Sequence, residues 1–178
     1  SELTKYAANT MLALRVSFMN WLSNLAEASG ANILQIRKGI GSDKRIGNAF
    51  LWAGVGYGGS CFPKDIKALR QMAIDFGVDS SLIDAIERIN AHQKSVLATK
   101  IAAYFEPFGG LQGKTIGILG LAFKPDTDDM REAASLVIIR ELLAHGANVR
   151  LFDPVAMDNA QAILGTSAQI TWCKDELE

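Results

Sequence analysis

Cys61 is the residue in this sequence whose position most invites chemistry. It follows the glycine run Gly56, Gly58 and Gly59 and precedes Pro63, Lys64 and Asp65, which read as the first turn of a helix. Unpaired N–H groups and the macrodipole at a helix N-terminus favour a thiolate, and glycine lets a backbone approach a ligand closely. A cysteine so placed is a candidate nucleophile, against the plainer reading of a small buried residue at a tight turn. Asp65 stands four residues on, so one helical turn can bring its carboxylate near the sulfur to orient or deprotonate a water. The same acid also suits the helix dipole, and Lys64 beside it reads by itself as a solvated side chain.

Lys5 and Asn9 form a second candidate set. They are one turn apart on an expected helix, with Asn20, Ser23, Asn24 and Glu27 on the same face. A cation and an amide side by side can steady a developing oxyanion, although such a face is more often ordinary polar surface. Gly117 and Gly120, followed by Phe123, Lys124, Pro125 and Asp126, come after an expected strand and can open a nucleotide site, but the full G-x-G-x-x-G fingerprint is missing. His92 and His145 have no metal spacing and read as structural, as does Cys173 at a strand end.

The elements that must carry these residues follow from periodicity. Leu3, Tyr6, Ala7, Met11, Leu14, Phe18, Trp21, Leu22 and Leu25 trace an apolar stripe over residues 3–28, a helix whose stripe is expected to pack against its copy in a second chain. Residues 31–38 read as a second helix closed by Gly39 and Gly41. A third runs from Pro63 to Phe76, and a fourth, with a rather irregular stripe, from Ser80 or Ser81 to Pro107 and Gly109. Composition then changes. Residues 114–123 and 148–152 read as strands around a helix over 132–145, followed by a helix over 156–164 and a strand over 169–172, which predicts a parallel β-α-β sheet. The fold class is thus mixed: an all-α domain over about residues 1–106, then part of a Rossmann-like α/β domain over 113–178.

Composition narrows the function classes. Among 178 residues, 49% are hydrophobic and 21% charged, which excludes a disordered or fibrous chain. The net charge is −1 and there is no basic run, so nucleic acid is not an expected partner. Two distant cysteines build neither a disulfide scaffold nor a zinc site. No apolar run is long enough to span a membrane, and a soluble cytoplasmic protein is expected. The first helix starts at the first residues, and 173–178 reads as a helical turn that does not continue, so the sequence is expected to be a piece of a longer protein.

Three segments, residues 5–9 (Lys5 to Asn9), 56–65 (Gly56 to Asp65) and 120–132 (Gly120 to Glu132), in this order and spacing resemble the nucleotide-sugar dehydrogenase family over nearly the whole chain. The resemblance implies a central helical domain that forms a homodimer and half of a C-terminal UDP-sugar-binding domain, with the NAD-binding domain lying outside the sequence. It further implies that a C6 alcohol, that of UDP-glucose, is oxidised twice by NAD through a cysteine thiohemiacetal and thioester to the uronate. By motif position Cys61 is then the nucleophile, Asp65 helps activate water, and Lys5 and Asn9 stabilise oxyanions. Arg45, Phe50, Tyr57, Gly58 and Lys124 are the implied substrate contacts, Arg45 reaching the neighbouring subunit's substrate, while Lys64 and Arg131 are the implied cofactor contacts. GDP-mannose as substrate, or a non-catalytic dimerisation fragment, are the alternatives, and the chain by itself is expected to be inactive.

Overall fold

Four helices fill the first half of the chain and a small α/β sheet the second. In the computed structural model, which describes residues 1–177, the elements are α1 (Glu2–Ser29), α2 (Ile33–Gly41), α3 (Cys61–Asp75), α4 (Ser81–Phe105), a 3-10 turn (Glu106–Phe108), β1 (Thr115–Leu119), α5 (Ala134–Ala144), β2 (Asn148–Phe152), α6 (Met157–Leu164) and β3 (Ile170–Trp172). The chain divides into two compact units, Ser1–Tyr57 with Cys61–Gln93, and Gly58–Ser60 with Lys94–Glu178.

In the first unit α1 packs along α3, and Ala13, Ile66, Ile83 and Ile86 form the apolar centre with Leu14, Tyr57, Phe62 and Leu69 around it. Of the apolar stripe of α1, Leu14 packs against this core, but most of the large side chains do not. Leu3, Met11, Phe18, Trp21 and Leu25 are each about half exposed, and Phe18 stacks on Trp21 at the surface. The buried residues of α1 are instead Thr10, Ala13, Ser17, Met19, Asn20 and Ala26, small or polar but for Met19. The face that reads as polar surface in the sequence is therefore partly the inward one, because its amides find partners on α3, α4 and the glycine loop.

Two helix boundaries also differ from expectation. Asn32 caps α2 through Oδ1, which accepts from the Leu34 and Gln35 N–H groups, and Gly39 and Gly41 lie inside the helix rather than closing it. A Cβ on Gly41 would lie 2.2 Å from Asn48 Oδ1, so a larger residue there would require the Asn48 side chain to move. α5 begins at Ala134, later than the expected 132, because Glu132 adopts φ 54°, a left-handed conformation that no helix interior accommodates.

The second unit holds a three-stranded sheet in the order β1-β2-β3, all parallel, with Thr115 opposite Asn148 and Val149 opposite Ile170. Its core gathers Leu121, Ile139, Leu142, Val149, Leu151 and Ala160, to which the last turns of α4 add Ala98 and Ile101. Beyond β3 the chain turns at Asp175, whose Oδ1 accepts the Leu177 N–H, and Glu178 of the expected last turn lies outside the described residues.

Candidate active site

The α1–α3 contact holds the first polar cluster. Asp65, in the first turn of α3, is 1% exposed. A carboxylate so buried must be paired to be tolerated. Asn9 Nδ2 donates to its Oδ2 at 2.5 Å, and the Lys5 ammonium lies 3.4 Å from its Oδ1, which makes no hydrogen bond of its own. Lys5 is otherwise well exposed, its side chain 61% accessible. The sequence thus puts Lys5 and Asn9 one turn apart on α1 so that both reach one acid on α3.

Cys61 opens that same helix. It is exposed, takes no part in a disulfide, and sits one turn before Asp65 on the same face of α3. The helix starts two residues earlier than Pro63 alone suggests, which puts the sulfur at the first helical residue. Lys64, in the same turn, is exposed.

The glycine loop of the first unit is pinned by amides. Asn20 Oδ1 accepts the Gly54 N–H at 2.8 Å, and Gln93 Nε2 donates to the Gly54 carbonyl at 2.7 Å. Asn90 binds both main-chain groups of Tyr57, and Asn24 steadies Gln93. Asn90 and Gln93 were not legible as site residues; their signal is the interruption they make in the stripe of α4. Tyr57 packs edge-on against Phe62, and Phe50, at φ 58°, leans on the same ring. Burial pushes the Tyr57 phenol up to about 12, with Glu87 adding to the rise and a Ser17 hydrogen bond opposing it.

Arg45 stands apart from this cluster. Its guanidinium forms a bidentate pair with Asp43, with Nη2 2.6 Å from Oδ2, and holds that carboxyl below its ordinary value. Arg15, which sequence reading passed over, supports the turn by donating to the Ile46 and Gly47 carbonyls.

In the second unit Gly120, Phe123, Lys124, Asp126, Asp153 and Pro154 line a hollow of about 470 Å³ at the C-terminal ends of β1 and β2. Lys124 Nζ lies 5.4 Å from the Phe123 ring centre. The backbone N–H groups after β1, which cradle phosphate in dinucleotide folds, are already taken: Asp153 Oδ2 accepts from Leu121 at 2.7 Å and Ala122 at 3.2 Å. Its Oδ1 accepts from Val155 and Ala156. Burial works against ionisation of Asp153, yet the N–H groups of Leu121, Val155, Ala156 and Ala122 together hold the carboxyl below its usual value. Arg131 is paired with Asp129, whose carboxyl the guanidinium and the Arg131 N–H hold down to about 2. The Leu121 and Ala122 amides are therefore occupied by Asp153, and Arg131 is exposed. Gly58 and Gly59, by contrast, lie against the 131–132 turn of this unit. Among the described residues no group of His, Cys, Asp or Glu is placed to hold a metal ion, and no helix is long and apolar enough to cross a membrane.

Comparison with known proteins accounts for this division of labour. Residues 1–92 match the central domain of the UDP-glucose/GDP-mannose dehydrogenase family, and residues 117–178 match its UDP binding domain. The chain is 51% identical over 156 residues to a UDP-glucose 6-dehydrogenase of Pseudomonas aeruginosa, covering 88% of this chain and 34% of that protein. A Bacillus subtilis UDP-glucose 6-dehydrogenase is 48% identical over 164 residues, with 92% and 37% covered. The solved structure of a UDP-glucose dehydrogenase from Pyrobaculum islandicum superposes with a TM-score of 0.89 at 40% identity, over 97% of this chain and 39% of that one. The chain spans about a third of the length of these relatives. With two domain matches in the family's order and a buried acid gathering Lys5 and Asn9 beneath the cysteine, the chain belongs to the UDP-glucose/GDP-mannose dehydrogenase family.

Proposed function

We propose that this chain supplies the covalent-catalysis part of an NAD-dependent UDP-glucose 6-dehydrogenase, the reaction that converts UDP-glucose to UDP-glucuronate in the cytoplasm. The observation that carries the reading is the meeting of Lys5 and Asn9 on Asp65, one helical turn below an exposed Cys61. NAD, held by residues outside this chain, accepts the two hydrides. The steps assigned to this chain begin at the C6 aldehyde. The Cys61 thiolate adds to the carbonyl carbon, and the resulting C–S bond keeps the aldehyde in place as a thiohemiacetal. Once that carbon is oxidised to the thioester, water attacks it and gives one proton to Asp65, the C–S bond breaks to return the thiolate, and the carboxylic acid so formed loses its remaining proton to solvent and leaves as the carboxylate.

Each tetrahedral stage puts negative charge on the C6 oxygen. Asn9 Nδ2 keeps a second hydrogen when one is given to Asp65, and the Lys5 ammonium keeps two beyond its ion pair, so both can donate to that oxygen. Asp65 fixes the two donors as well as receiving the proton. By motif position Tyr57, Gly58, Phe50 and Lys124 are proposed as contacts of the sugar nucleotide, Arg45 as a contact of a neighbouring subunit's substrate, and Lys64 and Arg131 as contacts of the cofactor.

The test uses the full-length dehydrogenase with UDP-glucose and, in parallel, GDP-mannose. Cys61→Ala is expected to abolish uronate formation while leaving some aldehyde formation, and the 178-residue chain is expected to release no NADH. Uronate formation at the normal rate by Cys61→Ala would refute the nucleophile, and a preference for GDP-mannose would move the reading to that substrate.

A further inference from the structure

We propose that Lys94 is a positioning residue for the cysteine loop, acting through the main chain of Glu132. The proposal rests on the reading of Cys61 as nucleophile. Lys94 lies in α4 with only 9% of its side chain exposed, next in sequence to the buried Gln93 and followed one turn later by the buried Ala98. A buried ammonium is costly unless its hydrogens are used. Lys94 Nζ donates to the Glu132 carbonyl at 2.9 Å and to Glu132 Oε2 at 3.3 Å.

That carbonyl is also where the glycine loop comes closest. A Cβ on Gly58 would lie 2.2 Å from Glu132 O, and the Gly59 N–H donates to the neighbouring Arg131 carbonyl at 2.7 Å. Gly59 has its own limit, since a Cβ there would lie 2.7 Å from the Phe123 ring. Two successive carbonyls are thus held, one by the loop and one by Lys94. Glu132 pays for this with φ 54°, a strained conformation for a residue with a side chain, which persists only where surrounding contacts over-determine it. Lys94 is the contact that holds the turn from the side of α4. Ser60 and Cys61 follow directly, so the clamp holds the chain two residues before the nucleophile, and a nucleophile misplaced by about 1 Å costs on the order of 100-fold in rate.

The experiment compares Lys94→Met, Lys94→Arg and Glu132→Gln in the full-length dehydrogenase. Lys94→Met is expected to lower kcat for uronate formation roughly 10- to 100-fold, with KM for UDP-glucose changing less than about threefold. Hydrogen exchange in residues 56–60 should accelerate while β2 keeps its protection. Lys94→Arg, which keeps a cation and its donors, should recover most of kcat. Glu132→Gln, which leaves the main-chain bond intact, should stay within about threefold of the parent. If Lys94→Met does not fold, Lys94→Leu, which likewise has no donor, carries the same expectation. A kcat within about threefold for the neutral variant, or a rise in KM in place of the fall in kcat, overturns the proposal. Full activity of Cys61→Ala would bring down the underlying reading as well, whereas an inactive Cys61→Ala beside an unimpaired Lys94→Met would overturn the clamp only.

Discussion

Asn9 and Asp65, 56 positions apart in the chain, meet amide nitrogen to carboxylate oxygen at 2.5 Å. Removing the amide leaves a buried carboxylate short of a donor, which costs about 1–3 kcal/mol. Asn9→Ala should therefore lower the urea midpoint of this chain and, in the full-length dehydrogenase, reduce the rate of NADH formation roughly 100-fold. Activity within about threefold of the parent would show that Asn9 serves stability and not the oxyanion.

Cys61 is exposed and Cys173 is 6% exposed. Iodoacetamide should label Cys61 at least about 10-fold faster at neutral pH, read by peptide mass, because its sulfur is reachable from solvent and that of Cys173 is buried. Equal labelling rates, or faster labelling of Cys173, would count against Cys61 as the nucleophile.

The half-exposed apolar stripe of α1 should draw two chains together. Native mass measurement at micromolar concentration is expected to give twice the 19.2 kDa of one chain, and the double change Phe18→Lys with Trp21→Lys to give the monomer. A monomeric parent chain would remove the dimer from the reading.

Two glycines should respond in opposite ways to alanine. Gly58→Ala places its methyl 2.2 Å from Glu132 O, a main-chain atom that cannot step aside, and should destabilise the chain by roughly 1–3 kcal/mol. Gly39, inside α2 with open space around it, should gain about 0.5–1 kcal/mol from the same change. Urea unfolding of the two variants decides both.

Asp153 should leave a signature in acid. Its folded carboxyl titrates below the ordinary value, while in the unfolded chain it binds a proton near pH ~3.9. The stabilisation is thus fully present above about pH 4 and is lost as pH falls toward the lowered folded value. Asp153→Asn, which turns an N–H donor toward other N–H groups, should cost about 1–3 kcal/mol at neutral pH and flatten the acid limb of the stability curve. An unchanged acid limb would mean that the carboxylate is not ionised in the fold.

Much of the site was legible because its spacing is local. Cys61 and Asp65 share one helical turn, and Lys5 and Asn9 share another, so side-chain direction alone puts each pair on a face. What periodicity could not tell was which face of α1 turns inward. The stripe with Trp21 and Phe18 reads as a contact with a second chain and the opposite face as ordinary polar surface, yet the single chain buries Ser17 and Asn20 because Ile86 and Gly54 supply their hydrogen-bond partners, and such partners lie too far along the sequence to be read. Asn90 and Gln93 were hidden for the same reason. The late start of α5 depends on Glu132, where Lys94 and a loop glycine override a residue that ordinarily favours helix.

The carboxylate of Asp153 has one more consequence, which concerns competition. Because it is tethered to the chain that presents the Leu121 and Ala122 amides, it faces them at an effective concentration that no dissolved anion reaches. Free phosphate or sulfate will therefore find this turn saturated. Lys124 lines the same hollow without being tied to that turn's amides, and whatever hold its charge has on an anion would weaken as ionic strength rises.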